Sequence, residues 1–250
     1  MTTYYKKEIM SVNVNSVYQR VQSIANKEQR GYITPIEFNR FANQVQLEIF
    51  EQYFYDLGQF MRGRGNDTRH ADPVDSVEEK ISLFEVFGTS VTDVGGDGLD
   101  ELILPTNLYR LSTVLLSQIE CEKVSIKKFK QLVQSNIILP TSNQPVYVKN
   151  SNGILVYGGK TTSPFYEVKQ SGVTINYIKK PSTVNWAFVI DANNDALYNS
   201  TNSTNFELHP TEEANLVIKI LELAGVAMKA GDIYQVGDKE NIEDIQQQKA

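Results

Sequence analysis

Apolar residues recur at helical spacing in two blocks near the start of the chain, alternate through the middle, and return to helical spacing towards the end. In the first block Val17, Val21 and Ile24 share a face, and Ser16 with Gln19 fits a capping box. The second block has the stronger start. Thr34-Pro35-Ile36-Glu37 sets an N-cap hydroxyl, a proline at the first helical position and a carboxylate that reaches back, with Ile33 and Phe38 placed as a hydrophobic staple. The spacing predicts a helix to about Met61, roughly 40 Å long. Phe38, Phe41, Val45, Ile49 and Tyr53 make one stripe, and Leu47, Phe50, Phe54, Leu57 and Met61 a second, turned well away. Two stripes mean burial on two sides, either inside the subunit's own bundle or against a neighbouring subunit. Ser76-Val77-Glu78-Glu79 predicts the start of a short helix through Phe87.

From Thr89 the period becomes two. Strands are expected at 111–116, 118–124, 146–149, 154–158, 165–169, 172–179 and 186–190, interrupted by a short amphipathic helix over 125–135. Val173, Ile175 and Tyr177 alternate with Thr174 and Asn176, the pattern of a half-buried antiparallel strand. At His209-Pro210-Thr211-Glu212-Glu213 the helical signals resume, with proline at the start and acids in the first turn. The helix 214–229 is apolar nearly all round, which predicts burial on most sides, and Gly231 stops it. The tail is acidic, then glutamine-rich, a composition expected to be frayed or to order only against a partner. The fold class is therefore α+β: N- and C-terminal helices forming a bundle, with an inserted antiparallel β-sandwich or barrel-like region. The expected divisions are 1–88 helical, 89–206 β-rich, 207–230 a buried helix and 231–250 the tail.

Composition narrows the chemistry. A net charge of -6 argues against a general nucleic-acid binder, and MTTYYKKEIM lacks the apolar region of a secretory signal. No apolar run reaches the length of a membrane span. Cys121 is the only cysteine and reads as a buried structural thiol; His70 and His209 are the only histidines, which leaves little for triad or metal chemistry. The sequons at Asn66, Asn199 and Asn202 read as polar loops. GILVYGGKTT (153–162) resembles a phosphate-binding loop, but the first glycine of G-x-x-x-x-G-K-[ST] should stand at Ile154, and strand-forming residues follow where a helix is needed. Two acidic turns, from Asp93 and from Asp191, fail the calcium pattern at Gly95 and Leu104 and at Ala196 and Asn202. Arg62, Arg64 and Arg69 with His70 form a basic cluster in the loop 62–75, a solvated loop or a contact to an acidic or phosphate partner.

Four phrases carry a family resemblance: ITPIEFNRFANQVQLEIFE (33–51), LPTNLYRLSTV (104–114), INYIKKPSTVNW (175–186) and FELHPTEEANLVIKILELAGV (206–226). In this order they resemble the ring or adaptor proteins at the head–tail junction of short-tailed, crAss-like and related marine bacteriophages, from about residue 11 to the end. The resemblance implies a structural virion protein with neither catalytic activity nor cofactor, assembled in the host cytoplasm and not in a membrane. It implies a closed ring, twelvefold in such adaptors, beneath the portal protein. The ring extends the channel through which DNA passes, and other tail proteins dock below. It further implies a C-terminal tail that orders on the portal, with Asp238, Lys239, Glu240, Ile242, Ile245 and Gln248 as contacts, while Arg62, Arg64 and Arg69 face an acidic neighbour or the channel. The chain departs from a DNA-gripping protein in having no strongly basic stripe, which suits a channel along which DNA must slide.

Two rival classes remain. One is a tail-associated carbohydrate or receptor binder using Tyr157, Phe165, Tyr166 and Trp186, residues that also occupy strand positions where core packing explains them. The other is an enzyme: a nucleotide user through 158–161, or a virion-borne wall hydrolase with Asp97 and Asp100, or Glu212 and Glu213, as paired acids.

Overall fold

The structure, a computed structural model, describes residues 11–27, 32–62, 71–91, 101–135, 138–150, 153–160, 166–168, 171–192 and 195–225. The chain is α+β, with helices and largely antiparallel sheets in two compact units. Phe84–Lys180 forms one unit; Met1–Leu83 and Pro181–Ala250 together form the other. These divisions differ from the expected 88/89 and 206/207, at the front because a helix ends early and at the back because of how one extended segment pairs.

In the two-segment unit, α1 (Val14–Lys27) starts ahead of the expected Ser16. Asn13 is the better cap: its Oδ1 accepts the backbone N–H groups of Asn15 and Ser16 at 2.8 and 3.1 Å. The Ser16 hydroxyl instead donates to Glu213 Oε1 at 2.7 Å. α2 (Pro35–Arg62) opens on the capping box the sequence showed. Glu37 Oε2 accepts from the Thr34 N–H at 3.0 Å, and Thr34 Oγ1 accepts from the Glu37 N–H at 3.3 Å. α3 (Ala71–Ser82) begins before Ser76 and stops short of Phe87. Pro73 fits its first turn, where the missing N–H has no intrahelical partner to lose, and the Ser82 hydroxyl closes on the Glu79 carbonyl at 2.7 Å. α5 (Glu213–Leu223) follows a 3-10 turn, Pro210–Glu212. Contacts join α2 to α3 and α5, and α1 to α5.

Burial corrects two expectations here. Along α2 Phe38, Val45, Ile49 and Tyr53 of the first stripe are buried and Phe41 is half-buried, whereas of the second stripe Phe50 is buried, Phe54 and Leu57 are half-buried and Leu47 is exposed. α5 buries Leu216, Val217, Ile220 and Leu221 on one face only, leaving Ile218 exposed, so it is amphipathic in place.

The segment 182–186 runs extended between two partners. On one side Asn185 pairs with Thr204 as an antiparallel bridge. On the other, even-numbered residues meet side-chain amides of α2. The Trp186 N–H donates to Asn39 Oδ1 at 2.7 Å, and Asn39 Nδ2 donates to the Trp186 carbonyl at 3.2 Å. Asn43 does the same with Val184, both bonds at 2.8 Å. Gln46 Nε2 donates to the Ser182 carbonyl at 2.8 Å, and its Oε1 accepts the Glu207 N–H at 3.0 Å. Three amides spaced i, i+4, i+7 thus stand in for a neighbouring strand. From Asn39 to Asn43 the spacings nearly match, because four helical residues advance about 6 Å while two extended residues advance about 6.7 Å. From Asn43 to Gln46 three helical residues advance only about 4.5 Å. The shortfall accumulates towards 182, where the longer glutamine sits. This ladder ties 181–206 to the helices.

Beyond it, β10 (Phe188–Ile190) and β11 (Ala196–Tyr198) form a two-stranded ribbon. The Asp191 N–H donates to the Asp195 carbonyl at 3.0 Å across its turn, so the second acidic candidate closes a hairpin.

In the inserted unit one antiparallel sheet has the order β1-β9-β3-β4, from β1 (Glu85–Val91), β3 (Leu108–Leu116), β4 (Ile119–Glu120) and β9 (Val173–Lys179). A second has the order β2-β7-β6-β5, from β2 (Leu102–Ile103), β5 (Glu122–Lys123), β6 (Val146–Lys149) and β7 (Gly153–Lys160), with β8 (Tyr166–Val168) also on β7. Only β5 and β6 pair in parallel among these strands. One core cluster draws on both sheets, including Val114, Val173 and Ile175 from the first and Tyr147, Ile154 and Val156 from the second. Val146, Val148 and Tyr157 point the other way, onto Phe129 of α4 (Ile126–Gln134). The second sheet is therefore buried on both faces, which explains the unbroken apolar runs VYV and ILVY.

Candidate functional site

The GILVYGGKTT stretch forms β7 through Lys160, not a loop leading into a helix. Gly153 has a packing role. A Cβ there would lie 2.5 Å from the Leu102 carbonyl oxygen and 2.6 Å from Glu101 Cγ, so its absence lets β2 approach β7.

The paired-acid candidates that are described diverge into structural roles. Glu212 Oε1 accepts from Lys80 Nζ at 2.8 Å and its Oε2 from Asn215 Nδ2 at 3.2 Å, which joins α3 to the start of α5. Glu213 faces Ser16 and Arg20 on α1, with Arg20 Nη1 at 3.4 Å. Beside the Lys80–Glu212 pair lie Tyr53 and Asp56 of α2. Burial, then the Glu212 charge, pushes the Tyr53 phenol up. Burial likewise lifts the Asp56 carboxyl above its usual 3.8, against the Gln52 amide that bonds it at 2.7 Å. His209 is a cap, its Nδ1 accepting the Thr211 N–H.

Two of the four proposed sugar-stacking aromatics are spent in the core. Tyr157 stacks on Phe129 with centroids 4.0 Å apart. Trp186 lies among Tyr18, Phe188 and Tyr198, and its Nε1 donates to Asn15 Oδ1 at 3.0 Å. Cys121 is buried between β4 and β5, and burial pushes its thiol up to about 11, away from nucleophilic use.

Arg62 closes α2. Arg64, Arg69, His70, Asp97, Asp100, Phe165, and Asp238, Lys239, Glu240, Ile242, Ile245 and Gln248 lie outside the described residues, as does the first acidic turn after Asp93. Among the described residues no three His, Cys, Asp or Glu side chains converge as a metal-holding group, and no helix is long and apolar enough to cross a membrane.

Two kinds of surface remain. The first is exposed apolar area on the two-segment unit. Val189 and Leu197 face one another across the β10–β11 ribbon and are 57% and 54% exposed, with Ile190 beside them. Ile36, Leu47 and Tyr55 are exposed on α2, and Ile218 on α5. A two-stranded ribbon is marginal by itself, and one that shows an apolar pair to solvent has a reason to be covered. No sequence reading had picked out this pair, although the alternation in FVIDANNDALY carries it.

The second is a groove of about 680 Å³ in the inserted unit, where β3 of one sheet meets β5 and β6 of the other. Its floor is Val114, Cys121 and Tyr147, all buried; its rim holds Arg110, Lys123 and Lys149 with Glu120 and Glu122. No protein-family model matches the chain, and no curated protein matches it.

Proposed function

We propose that the protein is a structural subunit of a ring-shaped head–tail adaptor that binds the portal, extends the DNA channel and docks tail components. In this reading the helices form a bundle, and the inserted unit is a sandwich- or barrel-like β-domain carried on it. The observation that best supports the reading is the exposed apolar area on separate elements of one unit: Ile36, Leu47 and Tyr55 on α2, and Val189, Ile190 and Leu197 on the ribbon. A closed ring needs heterologous contacts, in which each copy offers two different faces. The ordered phrases from 33 to 226 supply the family expectation of twelvefold closure beneath the portal.

The contacts proposed for the portal are Asp238, Lys239, Glu240, Ile242, Ile245 and Gln248. Arg62, Arg64 and Arg69 are proposed to face an acidic neighbour or the channel. The experiment is co-sedimentation of the portal from the same genome with the full chain and with a chain lacking 238–250. Loss of portal binding on deletion is the expected result; undiminished binding would remove the tail from the portal contact.

A further inference from the structure

The groove of the inserted unit is bounded by strand edges. β5 is the edge strand of its sheet. β4 covers β3 only at Leu115 and Leu116, and the Cys121 N–H takes the Val114 carbonyl at 2.8 Å. From Arg110 to Thr113 no strand among the described residues pairs with that side of β3. Open edges of this kind are templates for an added strand. β3 is also bent where it lines the groove. Against β9 its register skips between Leu108 and Arg110 and again between Leu111 and Thr113, so Tyr109 and Ser112 are extra residues. Both line the groove. Bulges re-aim side chains and turn a strand out of regular pairing.

Charge selects the occupant. Arg110, Lys123 and Lys149 are exposed on the rim and make no ion pair among the described residues. Of the two rim acids, Glu122 is held by Lys128 at 2.6 Å, which leaves Glu120 as the one opposing charge. The stretch 102–180 carries ten Lys and Arg against three Asp and Glu, in a chain whose net charge is -6. The acidic balance of the whole thus hides a basic β-region. An apolar floor of Val114, Cys121 and Tyr147 beneath a cationic rim suits a strand with apolar side chains down and carboxylates out. Nucleic acid fits less well, because Tyr147 is buried in the floor, which leaves the half-buried Tyr109 as the one other aromatic of the lining, too few for a stacking platform.

We propose that this groove takes an extended acidic peptide from a partner protein, added as a strand along β3 between Arg110 and Thr113. The proposal stands apart from the adaptor reading and survives its failure. The test uses the full chain and a fluorescein-labelled ten-residue peptide alternating Glu and Val, with a Lys/Val peptide and a 20-nucleotide single strand as comparators. The expected result is saturable binding of the Glu/Val peptide, weakened at least tenfold by Lys123→Glu with Lys149→Glu and unchanged by Arg40→Glu on α2. Amide exchange at 110–113 should slow in the complex. Circular dichroism checks that the exposed charge reversals leave the fold intact. Four results would overturn the proposal: no saturable peptide binding, equal binding of the Lys/Val peptide, unchanged exchange at 110–113, or capture of the oligonucleotide in place of the peptide.

Discussion

Replacing Asn43 by Ala should cost far more than a half-buried asparagine on a helix ordinarily would. Its Oδ1 accepts the Val184 N–H, and its Nδ2 donates to the Val184 carbonyl at 2.8 Å and to the Asn39 carbonyl at 2.6 Å. Val184 is only 1% exposed. Truncation leaves its N–H and its carbonyl without partners, each costing about 1–3 kcal/mol when buried, so a loss of about 2–4 kcal/mol is expected after partial relaxation. Gln44→Ala, one residue along on the exposed side, should stay within about 0.5 kcal/mol. Trp186 is the only tryptophan and lies two residues from Val184, so urea unfolding followed by its fluorescence reports on this unit directly. Asn43→Asp sharpens the test. It keeps an acceptor for the N–H but sets a carboxylate against two carbonyls, which raises its folded pKa above the unfolded value. Stability is then fullest below the unfolded pKa, where the protonated acid can donate, and falls as pH rises through the folded pKa. A loss below about 0.5 kcal/mol for the alanine variant, or an aspartate variant insensitive to pH, would refute the ladder as a stabilising element.

Other changes probe other parts of the molecule. Gly153→Ala drives a Cβ to within 2.5 Å of the Leu102 carbonyl oxygen and should destabilise the inserted unit by about 1–3 kcal/mol in urea titration, with no nucleotide-binding phenotype. Asp56 has a raised folded pKa, so its contribution is most favourable at low pH and declines as pH rises through that value. Asp56→Asn should therefore raise the melting temperature at neutral pH and lose that advantage near pH 3; an equal effect at both would be inconsistent with burial as the cause. The β3–β4 turn holds Ser117 and Gln118 at φ of 49° and 74°, where side chains are strained, and Gln118→Gly should stabilise by about 0.5–1 kcal/mol in the same titration. The Cys121 thiol, buried and raised to about 11, should resist iodoacetamide until the chain unfolds.

Features governed by local chemistry were legible in the sequence. The Thr34–Glu37 box, the amphipathic α4 and the alternation of β9 need only their own residues, and each forms as its pattern predicts. What pattern missed depends on distant partners. The stretch 182–190 alternates because it is extended, but backbone groups of Ser182, Val184 and Trp186 bond amides at 46, 43 and 39, a spacing that reads as polar helix surface until the partner is known. Asn13 displaced Ser16 as a cap because the Asn13 side chain reaches two N–H groups while Ser16 binds Glu213, almost two hundred residues away in the chain. α5 looked buried all round because Ile218 adds to its apolar count, yet Ile218 faces out. The groove could not be read from the sequence at all. Its lining comes from four strands in two sheets, and the basic character of 102–180 is masked by the acidic total.

The adaptor reading rests most directly on assembly. The decisive measurement is the mass of the purified chain in solution, alone and after mixing with the portal from the same genome. The account predicts a large stoichiometric ring with the portal, closed through the α2 and β10–β11 faces and weakened by Val189→Lys with Leu197→Lys. A chain that stays monomeric and ignores the portal would contradict it.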